Sequence, residues 1–296
     1  IFENYRSQNR NFPYTITLYY IKKNMNKSII SVKWLDSKLN DENLVILDCT
    51  LKNQLEKLSP TIQDIQIKNA RFFDIKFKFS DTKSQFPTAY PTRNQFEKES
   101  QKLGINDDSI IVVYDANGIY SSPRVWWLFK SMGHQQIFVL NGGLPEWIKN
   151  NYQTEKKSEK KYLKGNFHIK SNENIVRKFD DIMSNLSSKK ELVIDVRSKD
   201  RFEGNVPEPR KGLRSGQIGN SINLPYTKVL NNGKFQNKKH LKILFEFLKD
   251  EKRNIVFSCG SGITACVVYL ASESILSNSR AVYDGSWTEW GEKTKT

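Results

Sequence analysis

The sequence predicts an α/β fold made of two similar units, each a mainly parallel sheet with helices on both faces. Short, β-branched apolar runs alternate with amphipathic helical stretches along the chain. The runs of the first half recur in the second, offset by 144 residues from Asp115 to Cys259 and by 151 from Ile67 to Ile218. Offsets of this size indicate a duplicated domain and not a short solenoid repeat.

Four pairs of segments carry the repeat. Each unit also has an amphipathic helical stretch among its strands, such as Pro123–Met132 in the first and Lys239–Lys249 in the second. The pairs are Leu44–Asp48 with Leu192–Asp195, Ile67–Phe72 with Ile218–Asn223, Ile110–Asp115 with Asn254–Cys259, and Asn141–Trp147 with Asp284–Trp290.

We therefore divide the chain into an N-terminal extension (1–25), a first domain (26–150), a linker (151–174) and a second domain (175–296). The linker is rich in Lys, Glu, Ser and Asn, which predicts an exposed segment, partly laid on the surface. The extension carries four basic residues against one acid, as transit peptides do. Alternatively, Met25 is the initiator and the preceding residues are extension or upstream sequence.

Composition excludes several classes of protein. Three cysteines in 296 residues argue against a disulfide framework and favour a reducing compartment. Three histidines without metal-ligand spacing predict neither a metal nor a cofactor. The net charge of +15 comes mostly from scattered lysines, so we expect no direct nucleic-acid binding, and no apolar run is long enough to span a membrane.

Cys259 stands where a strand gives way to a helix. The apolar run 254–258 precedes it, the loop Cys-Gly-Ser-Gly-Ile-Thr follows, and 265–270 is predicted to be helical. Backbone N–H groups of such a turn, together with the helix N-terminus, form an anion-binding cup that favours thiolate over thiol. Cys259 is therefore the predicted nucleophile, and a buried structural thiol is the alternative.

The first half provides an internal control for this loop. Asp115 occupies the position of Cys259 and is followed by a longer, unrelated segment, 116–123. A carboxylate cannot replace a thiolate in sulfur chemistry. If the loop is catalytic, only the second half carries the activity.

These residues resemble tandem-rhodanese sulfurtransferases of the 3-mercaptopyruvate type, from about Ile30 to Trp290. The motifs that carry the resemblance are the loop 259–265, Arg201-Phe-Glu-Gly-Asn-Val-Pro-Glu-Pro-Arg210, Tyr120-Ser-Ser-Pro-Arg-Val-Trp-Trp127 and Tyr283-Asp-Gly-Ser-Trp-Thr-Glu-Trp290. The resemblance implies two rhodanese-like domains, the first inactive. It also implies that Cys259 takes up the sulfane sulfur and that Arg201 and Arg210 hold the substrate.

The resemblance also has a gap. The family usually has His in a His-Ile-Pro-Gly stretch of each domain, where this chain has Gln66 and Gln217. A relay of Asp, His and the loop Ser has been proposed for mercaptopyruvate enzymes. Gln66 stands where that His would be, so the relay has no clear counterpart in this sequence.

The expected reaction is transfer of the sulfur of 3-mercaptopyruvate to Cys259, with release of pyruvate. Guanidinium groups suit the substrate carboxylate, and the hydroxyls of Ser261 and Thr264 are candidates for positioning or proton relay. The loop residues Gly260, Gly262 and Ile263 complete the predicted substrate site. Because Gly260 and Ser261 are neutral, where thiosulfate enzymes usually carry basic residues, mercaptopyruvate is favoured over thiosulfate.

The sulfur acceptor is then a thiol, cyanide or a protein, and the family implies thioredoxin or glutathione. We expect a monomer or weak dimer in the mitochondrion or cytoplasm. A Cys-dependent phosphatase is disfavoured because it needs Arg six residues after the nucleophile, where this chain has Ala265. A module that relays sulfur within a complex, for instance in tRNA thiolation, remains the non-enzymatic alternative.

Several residues near these motifs also have structural interpretations. Ser261 is alternatively a helix N-cap, Cys266 a core residue, and Glu208 a partner for one of the two arginines. Asp195 and Arg197 are a candidate structural pair. The four tryptophans of the motifs are expected in the core or at an interface, with the lining of the cleft as an alternative for one of them: Trp126, Trp127, Trp287 and Trp290.

Overall fold

The computed structural model describes residues 28–170 and 172–294, so the predicted extension 1–25 lies outside the described residues. In the first half, five parallel strands form a sheet in the order β1-β6-β5-β2-β4, while β3 and β7 form a small antiparallel pair. The strands are β1 (Ile29–Ile30), β2 (Leu44–Asp48), β3 (Ile65–Ile67), β4 (Arg71–Phe72), β5 (Ile110–Tyr114), β6 (Ile137–Leu140) and β7 (Thr154–Lys156).

The second half repeats this topology with the strand order β8-β14-β13-β9-β10, again all parallel. Each strand occupies the place of its counterpart in the first sheet, which confirms the predicted duplication of an α/β unit. A short hairpin, β11 and β12, is added. The strands are β8 (Val176–Arg177), β9 (Glu191–Asp195), β10 (Ile222–Asn223), β11 (Leu230–Asn231), β12 (Lys234–Phe235), β13 (Asn254–Ser258) and β14 (Arg280–Tyr283).

Helices connect the strands in both halves. In the first half they are Val32–Asp36, Lys52–Leu55, Pro60–Gln63, Arg93–Lys102, Ser122–Ser131 and Gly143–Lys149. In the second half they are Phe179–Ser188, Lys199–Glu203, Lys238–Leu244, Ala265–Ser272 and Ser286–Lys293, with 3₁₀ turns at Glu173–Ile175, Tyr226–Val229 and Glu246–Leu248. In the described part of the chain, no helix combines the length and the apolar character that crossing a bilayer requires.

One predicted helix, Lys239–Lys249, is divided in the structure. The α-helix ends at Leu244, and the 3₁₀ turn Glu246–Leu248 follows. Phe245 and Leu248 are both buried and lie three residues apart, a spacing that a 3₁₀ turn places on one side. The tighter turn therefore keeps the apolar side chains on the core after the α-helix stops.

Alternating strand residues separate three cores. In β5, Ile111 and Val113 belong to a large core, whereas Val112 and Tyr114 point to the opposite face of the sheet. The large core also contains Ile255 and Phe257 of β13 in the second half. The inner faces of both sheets thus share one core, and each outer face has its own.

Two helices fill the space between the sheets and carry much of the shared core. Ser122–Ser131 and Ala265–Ser272 contact each other, and the ring of Trp126 lies 5.8 Å from that of Tyr269. All four tryptophans named from the sequence are buried, and none lines the cavity described below.

The segment predicted as a linker is attached to the first half. Its strand β7 pairs with β3, the N–H of Gly165 donates to the carbonyl of Gln101, and that of Phe167 to the carbonyl of Ile105. Phe167 is only 1 % exposed. A few apolar residues, diluted among charged ones, are enough to fix the segment on the surface.

Candidate active site

Cys259 lies at the carboxyl end of β13, and a five-residue loop connects it to the helix Ala265–Ser272. Its N–H donates to Ser286 Oγ at 3.0 Å, and its carbonyl accepts from the N–H of Trp287 at 2.9 Å. These two bonds fix the backbone at the nucleophile. Ser286 Oγ also lies 3.8 Å from Cys259 Sγ, a contact that sequence reasoning missed.

The loop after Cys259 presents a row of unpaired backbone donors. The N–H groups of residues 260–264 donate to no acceptor within 28–170 and 172–294. Gly262 has a φ of +76°, and a Cβ there would lie 2.6 Å from the carbonyl oxygen of Asp284. Only glycine fits this turn, and the turn leaves the amide donors available to an anion.

A cavity of about 540 Å³ opens over this loop, and Cys259 is part of its wall. Most of the lining comes from the second half, and two residues, Pro87 and Tyr120, come from the first. The full lining is Pro87, Tyr120, Arg197, Ser198, Arg201, Glu208, Pro209, Arg210, Leu213, Tyr226, Thr227, Cys259, Gly260, Ser261, Ile263, Thr264 and Thr288.

The two predicted substrate arginines both line the cavity but differ in their bonding. Arg201 donates to Glu208 through Nε at 3.2 Å and through Nη2 at 2.5 Å. The Arg210 side chain is exposed and has no hydrogen bond or ion pair within the described residues. Arg210 therefore has the free guanidinium, whereas Arg201 keeps part of its donor set for Glu208.

Arg197 is also a wall residue, but its donors are already used. It forms a bidentate pair with Asp195, with Nη2 to Oδ2 at 2.6 Å, and donates from Nη1 to Glu208 Oε1 at 2.8 Å. A further bond joins Nη2 to the carbonyl of Gly216. The predicted structural pair of Asp195 and Arg197 is present, and it anchors the glutamate that orients Arg201.

The predicted loop residues divide between cavity wall and support. Gly260, Ser261, Ile263 and Thr264 line the cavity, and Gly262 lies between them without being part of the lining. The carbonyl of Gly262 accepts from Arg124 Nη1 at 3.4 Å.

The hydroxyls of Ser261 and Thr264 make no hydrogen bond to the described residues. The structure does not support Ser261 as an N-cap, because the cap position before Ala265 is Thr264. Both hydroxyls therefore remain donors that a bound substrate can use.

The other two thiols are enclosed in the protein. Cys49 and Cys266 have no exposed surface. Burial raises the pKa of both thiols, with the Asp48 and Asp115 carboxylates adding to the rise at Cys49. Burial therefore holds both as uncharged thiols, and Cys266 is the core residue the sequence allowed. No cluster of three potential metal-ligating side chains occurs in the parts that the structure describes.

An ion pair joins the first half to the second beside the loop that carries Cys259. Arg124, 1 % exposed, bonds Asp284 Oδ1 at 2.6 Å and the carbonyl of Thr88 at 2.8 Å. Thr88 Oγ1 lies 2.8 Å from the carbonyl oxygen of Ser261. These contacts join the two halves directly beneath the loop that carries Cys259.

Gln66 has no part in this contact. Its side-chain amide donates to the carbonyl of Ala70 and to Glu155 Oε1, both at 2.9 Å, in the first half. Gln66, which stands at the sequence position of the family's relay His, therefore makes no hydrogen bond to the loop Ser within the described residues. Thr88, which no motif singled out, contacts the carbonyl of Ser261 from the first half.

The chain matches the family model of the rhodanese-like domain twice, over residues 31–150 and 178–293. The chain belongs to the rhodanese family. The two matched ranges correspond to the two sheets described above, so this is a tandem rhodanese in which the loop after β13 carries Cys259 and the equivalent position after β5 carries Asp115.

Its relatives within the rhodanese family are similar over most of their length. Thiosulfate/3-mercaptopyruvate sulfurtransferase 1, mitochondrial, of Arabidopsis thaliana is 34% identical, covering 88% of this chain and 75% of the relative. The 3-mercaptopyruvate sulfurtransferase of Mus musculus is 33% identical, covering 89% and 92%. The crystal structure of the Tum1 protein from Saccharomyces cerevisiae superimposes with a TM-score of 0.81 at 30% identity, covering 91% and 96%.

Proposed function

We propose that this rhodanese is a sulfurtransferase that moves the sulfur of 3-mercaptopyruvate through a persulfide on Cys259 to a thiol acceptor. The observation that carries the proposal is the cavity itself, in which Cys259, a row of free loop amides and the free guanidinium of Arg210 face the same space. The names of the relatives support the same reaction class.

In the first half-reaction, the Cys259 thiolate attacks the sulfur of mercaptopyruvate and an S–S bond forms. The bond between that sulfur and C3 breaks, and its electron pair passes to the enolate of pyruvate. C3 then takes up one proton, which balances the proton that the substrate thiol loses as the persulfide anion forms. Pyruvate leaves, and the loop amides stabilise the negative charge of the persulfide.

In the second half-reaction, an acceptor thiolate attacks the outer sulfur and restores the Cys259 thiolate. The order of release predicts ping-pong kinetics. A small dithiol, glutathione or a thioredoxin has the required nucleophile, and the open cavity mouth beside the exposed Arg210 is the route by which it reaches the persulfide.

The carboxylate of mercaptopyruvate is expected to bind Arg210, with Arg201 contributing the donors that Glu208 leaves free. Thiosulfate is the second candidate donor, because the same guanidinium attracts a dianion. Gly260 and Ser261 add no positive charge next to the sulfur, and this favours the monoanionic substrate.

We place the protein in the mitochondrion or the cytoplasm. Three free, buried cysteines fit a reducing compartment, and one of the relatives described above is named as mitochondrial.

The test is to incubate the purified protein with 3-mercaptopyruvate and dithiothreitol, and separately with thiosulfate and cyanide, and to measure pyruvate, sulfide and thiocyanate. Turnover should be faster with mercaptopyruvate. Intact-mass and peptide analysis should find one added sulfur on Cys259, and Cys259→Ser should have no turnover. Activity that survives Cys259→Ser, or a persulfide on Cys49 or Cys266, would refute the proposal.

A further inference from the structure

Two tyrosines stand on the wall of the cavity that contains Cys259. Tyr120 comes from the first half and Tyr226 from the 3₁₀ turn that follows β10. Their rings meet edge to face, with centroids 6.3 Å apart. The two halves of the molecule therefore each bring one phenol to the same side of the site.

Neither phenol has a hydrogen-bond partner in the described chain, although both are half-buried. The neighbouring tyrosines of the core differ, since Tyr90 bonds Ser131 Oγ at 2.7 Å and Tyr283 bonds Glu289 Oε2 at 3.1 Å. A half-buried hydroxyl without a protein partner is available to a ligand in the cavity.

Both phenols are protonated at neutral pH. Burial raises the pKa of Tyr120 to about 12, and the charges of Tyr226, Cys259 and Asp115 add to the rise. Burial and then the neighbouring Cys259 raise the pKa of Tyr226. Each ring therefore presents an O–H donor on the cavity wall that also contains Cys259.

The proposed reaction needs such a donor at one place. When the bond from C3 to sulfur breaks, negative charge develops on the keto oxygen of the departing pyruvate enolate. The arginines are suited to the carboxylate, while a neutral donor next to the keto oxygen stabilises charge only as it appears. A phenol is a more acidic hydroxyl than Ser261 or Thr264, so it is the stronger donor to an oxyanion.

We infer that Tyr120 and Tyr226 form an oxyanion site that hydrogen-bonds the keto oxygen of the substrate as it becomes an enolate. The inference rests on the proposed function, because thiosulfate and the persulfide form no enolate. It assigns a catalytic residue to the rhodanese domain that carries Asp115 at the position equivalent to Cys259. It also makes the tyrosine pair a determinant of preference for α-keto thiol donors.

The test separates the two half-reactions in Tyr120→Phe, Tyr226→Phe and the double variant. The rapid-quench burst of pyruvate from 3-mercaptopyruvate measures the first. For the second, enzyme loaded by long incubation with the substrate is desalted and treated with cyanide, and release of thiocyanate is followed. Phenylalanine keeps the ring contact and removes only the hydroxyls.

The double variant should slow the pyruvate burst by about 10²-fold, each single variant less, and thiocyanate release should stay at the wild-type rate. Tyr152→Phe is the matched control, because its ring packs on Trp147 outside this cavity. Equal slowing of both half-reactions, or a burst at the wild-type rate, would overturn the inference. A wild-type protein with no pyruvate burst would instead refute the proposed function.

Discussion

The loops after β5 and β13 occupy equivalent places in the two sheets but use their backbone N–H groups in different ways. In the first half, Asp115 Oδ2 accepts the N–H groups of Tyr120, Ser121 and Ser122, and Oδ1 accepts that of Asn117. In the second half, the N–H groups after Cys259 have no acceptor in the described chain. One loop binds its own carboxylate, and the other keeps its donors for a reactant.

The difference shows how one architecture uses its loop amides within the fold in one copy and leaves them free in the other. A carboxylate reaches the amides of its own loop and uses their hydrogen-bonding capacity within the fold. A sulfur atom is larger and a poorer hydrogen-bond acceptor than a carboxylate oxygen. The amides of the second loop therefore remain available to an anionic reactant. The residue at the strand end decides which of these happens.

Moving the thiol between loops gives the largest expected effect. Asp115→Cys combined with Cys259→Ser should have no measurable sulfur transfer, because position 115 does not line the cavity and is enclosed by its own loop. Asp115→Cys alone should retain turnover through Cys259. Pyruvate release from mercaptopyruvate checks both variants, and recovered activity in the double variant would show that the two loops are interchangeable.

The glycines of the two loops should also respond differently. Gly262→Ala should abolish most turnover, because φ is +76° and the new Cβ meets the Asp284 carbonyl at 2.6 Å, which displaces the amides beside Cys259. Gly118→Ala, with φ +92° and a contact of 2.5 Å to the Gly233 carbonyl, should lower the melting temperature and leave kcat of the folded enzyme close to wild type. Equal losses of kcat would contradict this distinction.

The carboxylate in the first loop should be important for folding. Asp115→Ala removes the acceptor for four N–H groups and the Ser122 hydroxyl, and should lower the free energy of unfolding by about 3 kcal/mol. Asp250→Ala, at an exposed position, is the control and should change it by less than about 0.5 kcal/mol. Urea unfolding measures both. An unchanged free energy of unfolding in Asp115→Ala would mean that water satisfies these donors.

A charge added to the second loop should have the smallest effect. Ser261→Lys places a cation beside Cys259, and should raise the ratio of thiosulfate to mercaptopyruvate turnover severalfold. Gly260→Arg is a poorer test, since a Cβ there would lie 3.2 Å from Arg201 Nη2 and shift that side chain. Ser198→Lys, on the same cavity wall but not on the loop, is the control for charge alone. An unchanged ratio in Ser261→Lys would remove loop charge as the basis of donor preference.

The sequence predicted the duplicated fold and the position of Cys259 between a strand and a helix because both are recorded in local pattern. β-Branched runs marked the sheet strands Leu44–Asp48 and Asn254–Ser258, and the strand-to-helix switch marked Cys259. Arg201 and Arg210 lie in one segment, and their place on the cavity wall followed from the motif. The unequal bonding of the two arginines was not predictable, since it depends on where Glu208 points.

The contacts that bring distant residues to the site were the part that sequence reasoning missed. Tyr120 and Ser286 were quoted within motifs but given no role, and Tyr226 and Thr88 carried no signal of their own. Each reaches the site across a long separation in sequence, as in the 173-residue separation between Thr88 and Ser261. Such contacts are fixed by how two sheets pack, and periodicity along one strand does not record them.

The core shared by both sheets has a consequence for the history of the chain. After a duplication, a copy without its nucleophile is ordinarily free to decay or be deleted. Here the helix Ser122–Ser131 of that copy packs on the helix Ala265–Ser272 of the other, so deletion would expose apolar side chains of that second helix, such as Tyr269, to water. The copy with Asp115 in place of the cysteine thus forms the other wall of its sister's interior, and selection for folding alone suffices to preserve it.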